Sequence, residues 1–145
     1  NVIPETAIIK GTCRTLSGSV QDMIEARMEE VATGIARAHG LTAEFTYDRR
    51  YPVLVNTKEE TLKAIKAAQA VAGADNVSTD HPPTMGSEDF AWMLQHNPGC
   101  YIRVGNGEGE DGGCVVHNPN YDFNDEASVY GASYWAALVE QELSL

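Results

Sequence analysis

A chain of 145 residues, 43% hydrophobic and 21% charged, has the makeup of a soluble globular protein, with room for one domain or two small pieces of a larger one. Its formal net charge of −11 disfavours nonspecific binding to nucleic acid or to an anionic membrane surface. No apolar run approaches the roughly 18 residues of a membrane span. No signal-peptide pattern opens the chain, and Cys13, Cys100 and Cys114 fit neither a disulfide framework nor a Cys-x-x-Cys metal motif, which points to a reducing cytoplasm.

Residues 2–15 are rich in Val, Ile and Thr and read as a strand region, with Pro4 near its start. Ser17-Gly18-Ser19 is a turn able to cap a helix. From Val20 the apolar spacing becomes helical through Met23, Ile24, Met28, Val31 and Ile35, and Gly40 is its stop. Residues 41–47 alternate apolar and polar and read as a half-exposed strand. Thr57 and Glu60 have capping-box spacing at the head of a second helix, with Leu62, Ile65, Ala68 and Ala72 as its apolar stripe and Gly73 as its end.

Residues 77–84 read as irregular. Ser87 is the expected cap of a short helix over 88–96, which Asn97-Pro98-Gly99 stops. Residues 100–104 and 114–116 read as strands around a loop with five glycines, and Cys100 and Cys114 are placed to approach each other across it, as thiols and not as a disulfide. Asp125 or Asn124 caps a last helix over 126–143. The order is mixed α/β, and the Met and aromatic positions of the helices are expected in the core. The first strand-helix-strand unit needs sheet partners from elsewhere, because two strands make a marginal sheet. The chain therefore reads as a cut from a longer one, or as one that pairs with another chain.

The segment from Val115 to Asp125 is the most informative. His117 stands where a short apolar run breaks into a polar loop, a place where a metal-binding imidazole is often set, though a lone histidine without metal spacing is more simply an ordinary loop residue. Asp122, Asn124 and Asp125 are most simply turn and cap residues. Met85-Gly86-Ser87-Glu88-Asp89-Phe90 is a glycine before a helix start, where free N–H groups can hold a carboxylate or simply take a cap. Gly105-Asn106-Gly107-Glu108-Gly109 is no dinucleotide fingerprint, because it runs into acids and not into a helix. The acids at 108–111 read as solvated surface. Arg14 suits either a surface ion pair or a bidentate grip on a carboxylate.

Several segments together carry a resemblance. Asn1-Val2-Ile3-Pro4 and Gly11-Thr12-Cys13-Arg14-Thr15 are followed by Tyr51-Pro52 with Asn56, by Met85-Gly86-Ser87-Glu88-Asp89-Phe90, by Asn97-Pro98-Gly99 with Gly105, and by His117-Asn118-Pro119 with Tyr121-Asp122-Phe123-Asn124-Asp125. In this order they resemble the C-terminal part of metal-dependent amidohydrolases of the hippurate hydrolase and N-acyl-amino-acid amidohydrolase type.

The resemblance implies residues 1–56 as the second half of a ferredoxin-like lid and dimerisation domain. It implies residues 57–145 as the C-terminal part of a mixed α/β, zinc-peptidase-like catalytic domain. It implies two divalent metals, zinc or manganese, with His117 a ligand to one. It makes Asn1, Arg14, Gly86 and Ser87 substrate-side residues, the substrate a small N-acyl amino acid, and the assembly a homodimer joined through the lid. The family's His-x-Cys-Gly-His segment, its Glu-Glu pair and the first lid half have no counterpart here. The expectation is therefore a chain with no catalytic base of its own, inactive alone. The rival expectations are a non-catalytic dimerisation or regulatory module, and a dipeptidase or carboxypeptidase of the same superfamily.

Overall fold

The computed structural model describes residues 1–108 and 113–143. Among these residues lie four α-helices, α1 (Gly18–Ala38), α2 (Lys58–Ala72), α3 (Phe90–Met93) and α4 (Glu126–Glu142), and a 3-10 turn at Ala74–Asn76. Among the described residues no strand ladder forms. Segments 2–15, 41–47, 100–104 and 114–116, expected as strands, carry no regular pairing among the described residues. A strand exists only where a neighbouring backbone completes its ladder, and these segments do not complete one for each other. Of the acids at 108–111, all but Glu108 lie outside the described residues.

Two compact units divide the chain: Asn1–Val53 with Pro83–Asp89, and Leu54–Pro82 with Phe90–Leu145. In the first, α1 starts at Gly18, and the Ser17 hydroxyl bonds Ser19 Oγ at 2.9 Å instead of capping the helix backbone. The expected stop is present in full. Gly40 takes φ 72°, its N–H donates to Arg37 O at 3.0 Å, and Leu41 N–H donates to Ala36 O at 2.8 Å. This pair of bonds is a Schellman motif, which satisfies carbonyls the helix end leaves open and favours glycine at the left-handed position.

Arg49 ties segment 45–50 to α1. Its Nη1 donates to Asp22 Oδ1 and its Nε to Glu25 Oε2, each at 2.6 Å. Such exposed pairs contribute about 0–1 kcal/mol. The Tyr47 hydroxyl meets the Cys13 thiol, and that hydrogen bond, reinforced by desolvation, raises the Tyr47 pKa above its ordinary value.

The second unit holds the core. Ala64 and Ala67 of α2 and Tyr134 of α4 are buried, with Ala68, Cys100, Ile102 and Leu138 packed against them. This corrects the expected stripe on α2: Leu62 is 58% exposed, and the small residues at 64, 67 and 68 form the packed face. Alanines at this spacing leave room for a bulky aromatic from the facing helix. Lys63 Nζ pairs with Glu142 Oε2 at 3.1 Å, and Gln141 Nε2 donates to Lys63 O at 3.3 Å, so α2 and α4 are also joined along one edge. Asn56 acts as a side-chain strand, donating from Nδ2 to Tyr101 O at 2.9 Å and accepting Tyr101 N–H at 2.8 Å. The Thr57 hydroxyl bonds the Glu60 carboxylate and Gly99, and so is not free to cap α2.

The expected burial of Met and aromatic positions does not hold generally. Met23, Met28, Trp92, Met93 and Trp135 are exposed, while Tyr134 is buried. An amphipathic helix buries its stripe only against a second layer, and the described residues do not supply one for these faces. All three cysteines are free thiols. No helix among the described residues is long and apolar enough to cross a membrane.

Candidate functional site

The chain around His117 is built from two consecutive turns. The first spans 115–118, closed by Asn118 N–H donating to Val115 O at 3.2 Å, with His117 in its third position at φ 70°. Among the described residues, His117 is the one non-glycine residue with positive φ. A turn with positive φ at its third position normally takes glycine or asparagine. A side chain held there costs roughly 1–2 kcal/mol, and such positions cluster at functional sites. The ring is exposed, so it fills no core.

The second turn spans 118–121. Tyr121 N–H donates to Asn118 O at 2.9 Å, while Asn118 Oδ1 accepts Asn120 N–H at 2.8 Å. Pro119 supplies the fixed φ this turn wants after its first residue. Beyond it, Asn124 heads α4: its Oδ1 accepts Glu126 N–H at 3.1 Å and its carbonyl accepts Ala127 N–H at 2.9 Å. Of the two expected caps, Asn124 makes the side-chain bond and Asp125 makes none.

Sequence reasoning passed over Asn106. Its Nδ2 donates to Asp122 O at 2.8 Å and its Oδ1 accepts Asn124 N–H at 2.9 Å. One amide thus grips two backbone groups on the far side of the His117 segment. The signal lay in its setting: an amide between Gly105 and Gly107, the latter at φ 105°, stands where the backbone can leave ordinary extended geometry.

Arg14, Asn1, Gly86 and Ser87 fall in the first unit and His117 in the second. Arg14 Nη1 donates to Met85 O at 2.6 Å, which brings the expected carboxylate-binding guanidinium to the expected Gly86-Ser87 segment. Arginine has further N–H donors in the same plane for a carboxylate. The helix expected over 88–96 is cut to the single turn of α3, followed by irregular turns. Ser87 therefore precedes α3 by three residues and does not cap a long helix, and an anion site built on that helix start is not formed. The short helix is folded over tightly: a Cβ on Gly99 would stand 3.0 Å from Leu94 Cδ2 and 3.2 Å from Phe90 Cζ. Asn1 is exposed at the first position.

Among the described residues no three His, Cys, Asp or Glu side chains come together to hold a metal ion. An exposed imidazole on a hydrogen-bonded turn fits the part of one ligand; a catalytic centre needs about three protein donors. In the second unit, Glu60, Lys63, Cys100, Tyr134, Trp135 and Glu142 are among the residues lining an open groove of about 240 Å³, and none of the five residues singled out from the sequence lines it.

Residues 4–141 match the family model described as peptidase family M20/M25/M40. The YhaA protein of Bacillus subtilis (strain 168), whose name makes it an amidohydrolase provisionally, is 35% identical over 137 residues, 94% of this chain and 34% of its own length. Hippurate hydrolase of Campylobacter jejuni is 30% identical over 138 residues, 95% of this chain and 35% of its own length. N-acetylcysteine deacetylase of Bacillus subtilis (strain 168) is 31% identical over 140 residues, 95% of this chain and 34% of its own length. The chain thus spans about a third of the length of these relatives. No solved structure gives a significant match.

Proposed function

The chain belongs to peptidase family M20/M25/M40, and from that membership we propose that it works as part of a longer hydrolase that cleaves the amide bond of N-acyl amino acids or related small amides. The observation that carries this is similarity along nearly the whole chain to proteins named hippurate hydrolase and N-acetylcysteine deacetylase. Both names describe removal of an acyl group from an amino acid or its near relative. The proposal includes two divalent metal ions, zinc or manganese, a homodimer joined through residues 1–56, residues 57–145 as catalytic framework, and a cytoplasmic setting.

Within it, His117 is the residue of this chain that would hold a metal. Its exposure and its place on a strained turn support that role over a packing role. A divalent metal, when bound, supplies Lewis-acid polarisation of the amide carbonyl. Arg14, steadied by its bond to Met85 O, binds the substrate carboxylate with a planar pair of N–H groups, and Asn1, Gly86 and Ser87 line the same side of the substrate. The remaining metal donors and the general base lie outside this chain, so the chain alone is inactive.

The experiment measures amine release from hippurate, from N-acetyl amino acids and from unblocked dipeptides by the longer protein. The proposal expects turnover of acylated amino acids, loss with a chelator, and little turnover of dipeptides. Preference for dipeptides would move the chain to a peptidase role, and no turnover of any substrate would favour the non-catalytic module.

A further inference from the structure

We propose that Asn106 is the positioning residue for His117, an inference that rests on the reading of His117 as a ligand in the hydrolytic site. Asn106 bonds Asp122 O at 2.8 Å and Asn124 N–H at 2.9 Å, across 16 and 18 residues of sequence. The arrangement imitates one rung of a ladder: a single planar amide supplies both a donor and an acceptor to the two sides of residue 123. His117 lies between Asn106 and this rung in the sequence, so the rung holds the chain that follows His117 against the segment that carries Asn106.

Two features make the rung matter to His117 in particular. First, the two turns that present His117 run from 115 to 121, and the rung grips at 122, immediately after them. Second, Asn124, held on its N–H by Asn106, also heads α4 through Oδ1 to Glu126 N–H. The end of the His117 loop is thereby fixed to a 17-residue helix. A turn that holds histidine at positive φ is not preferred by its own residues, so its position depends on what pins its ends. Removing the rung frees one end of the loop while leaving every side chain of the site in place.

The test compares Asn106→Ala, Asn106→Asp and His117→Ala in the longer protein. It reads metal affinity by chelator competition, kcat and KM, and the hydrogen-exchange rate of the Asn124 amide in the metal-free state. For Asn106→Ala the expectation is faster exchange at Asn124, metal affinity weaker by about 10–100-fold as for other partners that orient ligands, and kcat reduced with KM little changed. Asn106→Asp keeps the acceptor for Asn124 N–H but turns a carboxylate oxygen toward Asp122 O, so it protects the Asn124 amide better than alanine does while still losing metal affinity. His117→Ala is expected to lose metal and turnover outright. If His117→Ala does so while Asn106→Ala keeps normal metal affinity and kcat, the positioning role is overturned and the reading of His117 stands. If His117→Ala itself keeps full metal and turnover, the reading of His117 falls and takes the positioning role with it. Faster exchange spread evenly over the second unit in Asn106→Ala would overturn positioning in favour of a general structural role.

Discussion

Replacing His117 with alanine and with glycine separates a displayed histidine from a packed one in the metal-free protein. The ring is exposed, so alanine opens no cavity. Alanine keeps the positive φ of 70° without the tolerance for that region that histidine shows, a cost of a few tenths of a kcal/mol. Glycine relieves a penalty of roughly 1–2 kcal/mol but returns about 0.5–1 kcal/mol in unfolded-chain entropy. The expected order of stability is therefore glycine above alanine, with both within about 1 kcal/mol of the parent. That corresponds to a Tm change of only a few degrees. A histidine packed in a core would instead cost about 2–4 kcal/mol on truncation. The assay is thermal unfolding of the three metal-free proteins, followed by circular dichroism. A drop of 2 kcal/mol or more for alanine would refute the displayed ring, and an alanine variant more stable than the glycine variant would refute the strained turn.

Four further outcomes follow from the same structure. Gly40→Ala places a Cβ at φ 72° in the Schellman turn and should cost about 1 kcal/mol, read as a lower denaturation midpoint; no change would mean that α1 ends differently. Tyr134→Ala removes the 6% exposed aromatic from between α2 and α4 and should cost roughly 3 kcal/mol or more, so a loss under about 1 kcal/mol would count against this core. Gly99→Ala asks Leu94 Cδ2 and Phe90 Cζ to give by a few tenths of an ångström and should cost about 1 kcal/mol, with no loss if those side-chain ends yield. The Thr57 hydroxyl lowers the Glu60 pKa, and Gln141 and then Lys63 lower that of Glu142, while Glu142 raises that of Lys63. The carboxylates therefore stabilise the fold above the ordinary glutamate pKa, and that contribution goes as pH falls through their lowered values. The lysine contributes below its ordinary pKa and is lost as pH rises through its raised value. Lys63→Gln should flatten both limbs of a Tm-against-pH curve, and superimposable curves would contradict the pairing.

Local punctuation was legible in the sequence, while the strands read from it form no ladder among the described residues. Gly40 and Gly73 ended helices where their freedom at positive φ predicted, and α4 ran from Glu126 nearly to the expected end. These features depend on a few neighbouring residues. The strand readings at 2–15 and 100–104 rest on β-branched residues, which state a preference for a pleated surface but not the presence of a neighbour to complete it. The stripe on α2 held at Ala68 and missed its neighbours for a related reason: Leu62 has the hydrophobicity, yet Ala64 and Ala67 have the size that lets Tyr134 in. At the candidate site, His117 was singled out by its family context, and its unusual φ was not foreseen. Asn106 was missed because its partners lie 16 and 18 residues away, beyond any local pattern.

The most direct test of the central claim sets this 145-residue chain beside the longer protein in one assay of hippurate and N-acetylcysteine hydrolysis, with and without a chelator. The account predicts chelator-sensitive turnover by the longer protein and none by the chain alone, because in the proposed arrangement His117 is this chain's contribution to the metals and the general base comes from the rest of the longer protein. Metal-dependent turnover by the isolated chain, shown free of the longer protein, or none by the longer protein on either substrate, would contradict it.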